Sequence, residues 1–406
     1  MKAIRSYSLI IALLIFIPFY SISQSNELED NYLVVLSMDG FRWDYAERVP
    51  TPNLDYIAQN GVKAEFVIPA FPTKTFPNHY TMATGLYPDN HGIVDNYFYC
   101  PDLRLRYSLG NRSAVENPDF YFGEPIWVTA ENQGVISASF FWVGSELPIK
   151  GVQPKYWKRY DHSISYEQRI DTVIYWLNLP KETRPRLVMF YFDEPDSQGH
   201  TFGPDSPEID LLVQQLDSLV GVLIAGIKEL PHASMVNLIV TSDHGMTTTS
   251  LDRNIDILDY IDKSLIKHYQ GSNPVFSIEP IEGMLDSVYN ILSNIENIQV
   301  WKKTEIPERL NYGKSKRIRD LVVLADSSWS VQIGDPRRFY IGGHGWDNAN
   351  KDMHTVFYAI GPSFKVDYSQ AAFELVDLYP LIAKILGIKP AEVDGKLERV
   401  NSMLKN

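Results

Sequence analysis

The chain has 406 residues, 45% of them hydrophobic and 13% aromatic, with a formal net charge of −13. That apolar content supplies a sizeable core and excludes global disorder, while the acidic balance argues against a general nucleic-acid-binding surface. The sole cysteine, Cys100, excludes an intrachain disulfide and a cysteine-rich zinc site.

In chain order, Lys2 and Arg5 precede the charge-free run Leu9–Tyr20, which is followed by Ser21 and Ser23 in a small-x-small pattern. The run is shorter than the roughly 20 residues that span a bilayer. Residues 1–23 therefore read as a cleavable export signal, with no stable membrane span once it is removed, the alternative being an uncleaved N-terminal anchor. Its removal takes away two positive charges and leaves 35 − 50 = −15. An exported chain with no possible disulfide suits a periplasmic or secreted setting of bacterial type, its stability carried by the core.

Five apolar runs rich in β-branched and aromatic residues read as buried parallel strands. They are Tyr32–Met38, Val135–Val143, Leu187–Phe192, Val236–Ser242 and His354–Gly361. Helical patterns cover 208–230 and 373–388. The alternation predicts an α/β fold, a mostly parallel central sheet covered by helices on both faces. Residues 263–343 are less regular, holding the turn-rich "YQGSNP" and the basic "GKSKRIRD". They read as a possible inserted subdomain of one catalytic domain over 24–406.

Polar residues cluster where these strands end. The first leads to Asp39, the third to Asp196 and His200 in "DEPDSQGH", and the fourth to Asp243 and His244 in "SDHG"; His344 sits in "GGHGWDN" before the fifth. In an open α/β sheet the carboxyl ends of the strands face one crevice, so these six residues are expected to converge. Singly, each is equally a turn or cap residue. Three carboxylates packed together repel unless cations neutralise them, and two divalent ions bring +4 against −3. Mixed His and carboxylate ligands favour zinc over magnesium. Asp196 and His200 are four apart, so a helix would aim both at one ion.

The stretch "FPTKTFPNHYTMATGLYP", 71–88, leaves Thr75 as a helix N-cap or a nucleophile. The two are compatible: a helix starting there offers N–H groups and its dipole to a phosphate oxygen. A threonine hydroxyl attacks only when a base or metal stabilises its alkoxide, and a metal pair also stabilises both oxygens of an in-line displacement at phosphorus.

Together, "SMDGFRWDY", "FPTKTFPNHYTMATGLYPDNHGIVDN", "GEPIWVTAENQG", "YFDEPDSQGHTFGP", "TSDHGM" and "GGHGWDN" resemble the nucleotide pyrophosphatase/phosphodiesterase family of the alkaline phosphatase superfamily. The likeness spans essentially the whole chain after the signal. It implies an alkaline phosphatase-like three-layer α/β/α sandwich and two zinc ions, one surrounded by Asp39, Thr75, Asp243 and His244, the other held by Asp196, His200 and His344. It further implies that Thr75 attacks phosphorus to give a covalent threonyl intermediate, which water activated at the second zinc hydrolyses. Asn96 would hydrogen-bond a non-bridging phosphoryl oxygen, and Phe76 and Tyr160 would stack a nucleobase. The implied partner is a small nucleotide releasing a nucleoside 5′-monophosphate, without sequence-specific nucleic-acid binding. The intact "TKTFPNHYT" resembles the nucleotide-cleaving branch more than the choline-phospholipid branches.

The alternatives are a phosphomonoesterase or lipid phosphodiesterase on the same fold, and a non-catalytic metal-dependent binding protein. No arginine adjoins Thr75, unlike the alkaline phosphatases. His79, His91, His162 and His354 are assigned no metal, His79 being read as a packing or hydrogen-bonding residue on the helix after Thr75, and Lys74 and Trp127 are placed at the border of the pocket.

Overall fold

The computed structural model describes residues 31–334 and 339–405; the expected export signal at 1–23 lies outside the described residues. Eight strands make the central sheet: β1 (Tyr32–Met38), β2 (Val62–Ala64), β3 (Ser137–Phe140), β4 (Tyr156–Lys158), β5 (Leu187–Phe192), β6 (Val236–Thr241), β7 (Phe357–Ile360) and β8 (Tyr368–Gln370). Their spatial order is β8-β2-β7-β6-β1-β5-β3-β4.

Alternation along each strand splits the core into two layers. Leu33 and Val35 of β1 face helices Thr75–Thr84 and Leu378–Leu386 through Tyr80, Met82, Leu381 and Ile382. Val34, Leu36 and Met38 face the other way, onto Ile209, Val213 and Leu216 of helix Pro207–Lys228. Burying each such side chain contributes about 1.5–3 kcal/mol, so β1, apolar on both faces, is pinned at the centre of an α/β/α sandwich. Helix Pro207–Lys228 is long and apolar enough to cross a membrane, but its apolar stripe lies in this core.

Three expectations need correction. The run 354–361 was expected to be parallel, yet β7 pairs antiparallel with both β6 and β2. Hydropathy reports burial, which is the same in either direction. The direction follows from the route of the chain, which at His344 already lies at the carboxyl ends of the parallel strands and must run back. The strand expected over 135–143 narrows to β3 because Phe141 adopts φ 72° and leaves the ladder. The helix expected over 373–388 is confined to Leu378–Leu386, capped by Gly387 in the left-handed region at φ 67°.

Within 263–343, strands Ile266–Ser272, Val275–Pro280, Leu321–Ala325 and Ile298–Lys302 form a separate antiparallel sheet in that order. One face carries Phe276, Ile278, Leu321 and Val323 onto Val288 and Leu292 of helix Leu285–Leu292. The other presents Val275, Val322 and Leu324 to the main core.

Candidate active site

The crevice at the sheet's carboxyl edge gathers all six strand-end residues. Ligand atoms of Asp39, Asp243 and His244 lie within 4.8 Å of one another, as do those of Asp196, His200 and His344. The first group rides on the ends of the adjacent strands β1 and β6. In the second, helix Asp196–Phe202 brings Asp196 Oδ2 to 3.4 Å from His200 Nε2, one turn on, and His344 Nε2 stands 3.6 Å from Asp196 Oδ1. The rings of His244 and His344 stack at 3.6 Å and 8°, joining the groups.

The hydrogen bonds set the tautomers. Nδ1–H of His244, His200 and His344 donates to the carbonyls of Gly245, Gly342 and Thr73 at 2.9, 2.8 and 2.9 Å. Each Nε2 lone pair is then turned into the crevice, the arrangement of a metal-ligating imidazole. Burial and the neighbouring His244 and His200 hold His344 well below the ordinary imidazole range, so it stays neutral. Asp39 Oδ1, Asp196 Oδ1 and Asp243 Oδ2 are buried acceptors without a donor. Burial, then the charges of Asp243 and Asp196, push the Asp39 carboxyl well above the usual range. For Asp243 burial acts in the same direction, but His244 and His79 outweigh it and hold the group below its usual value. Orphaned carboxylate oxygens facing converging imidazole lone pairs fit divalent cations bound between them.

Thr75 is the first residue of helix Thr75–Thr84 and not its cap. Lys74 holds the cap position, with no side-chain cap bond. The threonine hydroxyl is therefore not spent on the helix, and its Oγ1 lies 3.2 Å from His244 Nε2. Asn96 Oδ1 accepts from the Phe76 N–H at 3.0 Å, which places the carboxamide beside the start of this helix. Phe76 is half-buried, edge-on to Tyr107. Tyr160 is exposed, packs on Phe141 at 5.1 Å and makes no ring pair with Phe76. Burial and the nearby Asp193 push its phenol up to about 12.

Tyr191 had no place among the expected site residues, and His79 was expected only to pack or hydrogen-bond on the helix after Thr75. Tyr191 on β5 donates to Asp39 Oδ2 at 2.6 Å. His79 accepts from the Ser37 hydroxyl, donates through Nδ1 to Thr75 O at 3.0 Å, and stands 3.3 Å from Asp243 Oδ2. The only available signal for Tyr191 was its position near a strand end. The other histidines lie apart: His91 is buried and its pKa is pushed down to about 3 by desolvation, His354 stacks on Phe66, and the exposed His162 lies 3.0 Å from Asp193. Lys74 does not border the pocket as an open cation; it is buried 2.8 Å from Asp95 Oδ2 and also donates to Ser272. Trp127 is a core side chain.

The profile of the family "Type I phosphodiesterase / nucleotide pyrophosphatase" matches residues 33–347. Human ectonucleotide pyrophosphatase/phosphodiesterase family member 5 is 37% identical over 92% of this chain and 78% of its own length. The venom phosphodiesterase CdcPDE of Crotalus durissus collilineatus is also 37% identical, over 93% of this chain; the chain spans about half (47%) of that relative. A solved structure of murine ectonucleotide pyrophosphatase/phosphodiesterase 5, an inactive threonine-to-alanine variant in complex with AMP, superposes with a TM-score of 0.88 at 38% identity, covering 92% of this chain and all of that one. With an alkaline phosphatase-like fold, two sets of candidate metal ligands and a profile match across most of its length, the chain belongs to the type I phosphodiesterase/nucleotide pyrophosphatase family of phosphodiester hydrolases.

Proposed function

We propose that this chain is an exported, zinc-dependent phosphodiesterase that cleaves nucleotide pyrophosphates and phosphodiesters and releases nucleoside 5′-monophosphates. The observation that carries the reading is the Thr75 hydroxyl, at the first position of a helix, uncommitted to capping and 3.2 Å from His244 Nε2.

Asp39, Asp243 and His244, with Thr75, would hold one zinc, and Asp196, His200 and His344 the other. Bound there, the ions supply the positive charge that favours the threonine alkoxide and the anionic phosphoryl oxygens. Thr75 Oγ1 gives up its proton to solvent and forms a bond to phosphorus in line with the leaving oxygen, whose bond to phosphorus breaks and which takes up a proton from solvent. The positive end of the helix dipole and the Asn96 side-chain N–H bind the non-bridging oxygens. Water then adds to the threonyl phosphodiester, and Thr75 leaves with a proton as the nucleoside monophosphate is freed. Phe76 and Tyr160 offer faces to the base, a sequence-tolerant contact. Residues 263–343 act as an inserted subdomain of one catalytic domain over 24–406, a reading supported by their own sheet and cluster. Export, to the periplasm or medium, is supported by the apolar run before Ser21 and by the ecto- and venom enzymes among the relatives.

The test is a panel of nitrophenyl substrates offered to the zinc-loaded protein: a nucleotide diester, phosphate and phosphorylcholine. The diester should turn over fastest. A faster monoester would replace the diesterase reading with a phosphatase, and a faster phosphorylcholine with a lipid phosphodiesterase.

A further inference from the structure

A cavity of about 820 Å³ opens where residues 97–108 of the body meet strand Ile266–Ser272. None of the six candidate metal ligands lines it. Its wall reverses the sign of the molecule. The chain carries −13 overall, yet Arg106, Lys263, Lys267 and Arg319 face this cavity against one carboxylate, Glu279, with His268 beside them. Glu279 is fully engaged, 2.7 Å from Lys267 Nζ and 3.0 Å from an Arg319 nitrogen. The exposed side chains of Arg106 and Lys263 have no hydrogen-bond or ion-pair partner among the described residues. Arg319 lies over the Tyr99 ring at 5.0 Å, and its buried Nε–H finds no acceptor. Donors therefore exceed acceptors around the cavity, which is the condition for binding an anion.

The wall also offers rings. Tyr97 and Tyr99 are half-buried and Tyr269 is exposed. Cations interleaved with tyrosines suit a ligand that is anionic at one end and flat at the other. Inorganic anions leave the rings unused, and an acidic peptide brings no flat π surface to them.

We propose that this cavity is a second, non-catalytic nucleotide site, with the phosphate held by Arg106, Lys263 and Lys267 and the base laid against the tyrosines. It gives the seam between body and inserted sheet a function distinct from hydrolysis. The site adjoins the catalytic one: Tyr107, on its inner side, meets Phe76 edge-on at 6.2 Å. Ser272, one residue past the cavity's Gly271, accepts from Lys74, the cap of the Thr75 helix. The ligand class follows from this wall and does not require the catalytic reading, so the two can fail separately.

Calorimetric titration of AMP into the zinc-loaded Thr75→Ala protein tests it. Two molecules should bind per chain. Adding Arg106→Gln, Lys263→Gln and Lys267→Gln should weaken one site by roughly tenfold or more and leave the other unchanged, whereas adding Tyr160→Ala instead should weaken only the other. The triple substitution in the otherwise natural chain should leave diester hydrolysis and melting temperature unaltered. Bound AMP that is indifferent to the triple substitution, whether one molecule per chain or two, overturns the site, whereas a single AMP lost with the triple substitution keeps it and counts against the catalytic reading. Inorganic phosphate competing there as well as AMP does overturns its nucleotide character. If the triple variant does not fold, the exposed Lys263→Gln alone carries the comparison.

Discussion

The two groups of candidate ligands meet across the stacked His244 and His344 rings, yet they are built differently. Asp39, Asp243 and His244 are at most 2% exposed, on adjacent central strands and held from several sides. The Gly40 N–H donates to Asp243 Oδ1 and the Tyr191 hydroxyl to Asp39 Oδ2, with His79 close behind. Asp196 and His200 come from a seven-residue helix and His344 from a loop, and the His200 side chain keeps 26% of its exposure. Rigid, dry surroundings preorganise charge, and the buried group is the one beside Thr75. Solvent reaches the other, which suits the side from which a hydrolytic water arrives.

The largest expected break in this asymmetry comes from Thr75→Ala. It should lower kcat at least roughly 1,000-fold, about 4 kcal/mol of barrier, with zinc content by elemental analysis and the melting curve unchanged. A near-normal rate would remove Thr75 from the chemistry.

Chelation sharpens the comparison next. Zinc should leave in two phases, the more exposed group emptying first and the buried group at least ~10 times more slowly, because local opening must precede release. A single phase would mean that depth does not govern retention. Tyr191→Phe probes the buried group from behind: losing its hydrogen bond to Asp39 should cost roughly tenfold in activity or zinc affinity, measured by diester turnover against zinc concentration. His162→Ala, which removes an exposed ring 3.0 Å from the buried Asp193, should be the mildest. A change in unfolding free energy beyond about 1 kcal/mol in urea titration would show that this contact matters more than contacts made by exposed side chains ordinarily do.

The legible parts of this protein were local. Buried strands announce themselves by runs such as Tyr32–Met38, and a polar residue just past a strand marks the crevice whatever the strand's neighbours are, so Asp39, Asp196 and Asp243 stood out without coordinates. Residues whose partners are remote did not. Lys74, a lysine by type expected in water, is buried against Asp95 and Ser272. Tyr191 reads as one more core aromatic until β5 is laid beside β1 and its hydroxyl meets Asp39.

Composition and periodicity alone therefore determined the α/β class, the strand-end residues and the helix that begins at Thr75, because each depends on neighbours in sequence and on burial. Tertiary structure decided the reversed direction of β7, the histidine tautomers, the freedom of the Thr75 hydroxyl and the cationic seam between residues 97–108 and strand Ile266–Ser272. Each of these depends on which distant backbone carbonyl, strand or side chain a group meets, and hydropathy carries no record of that partner.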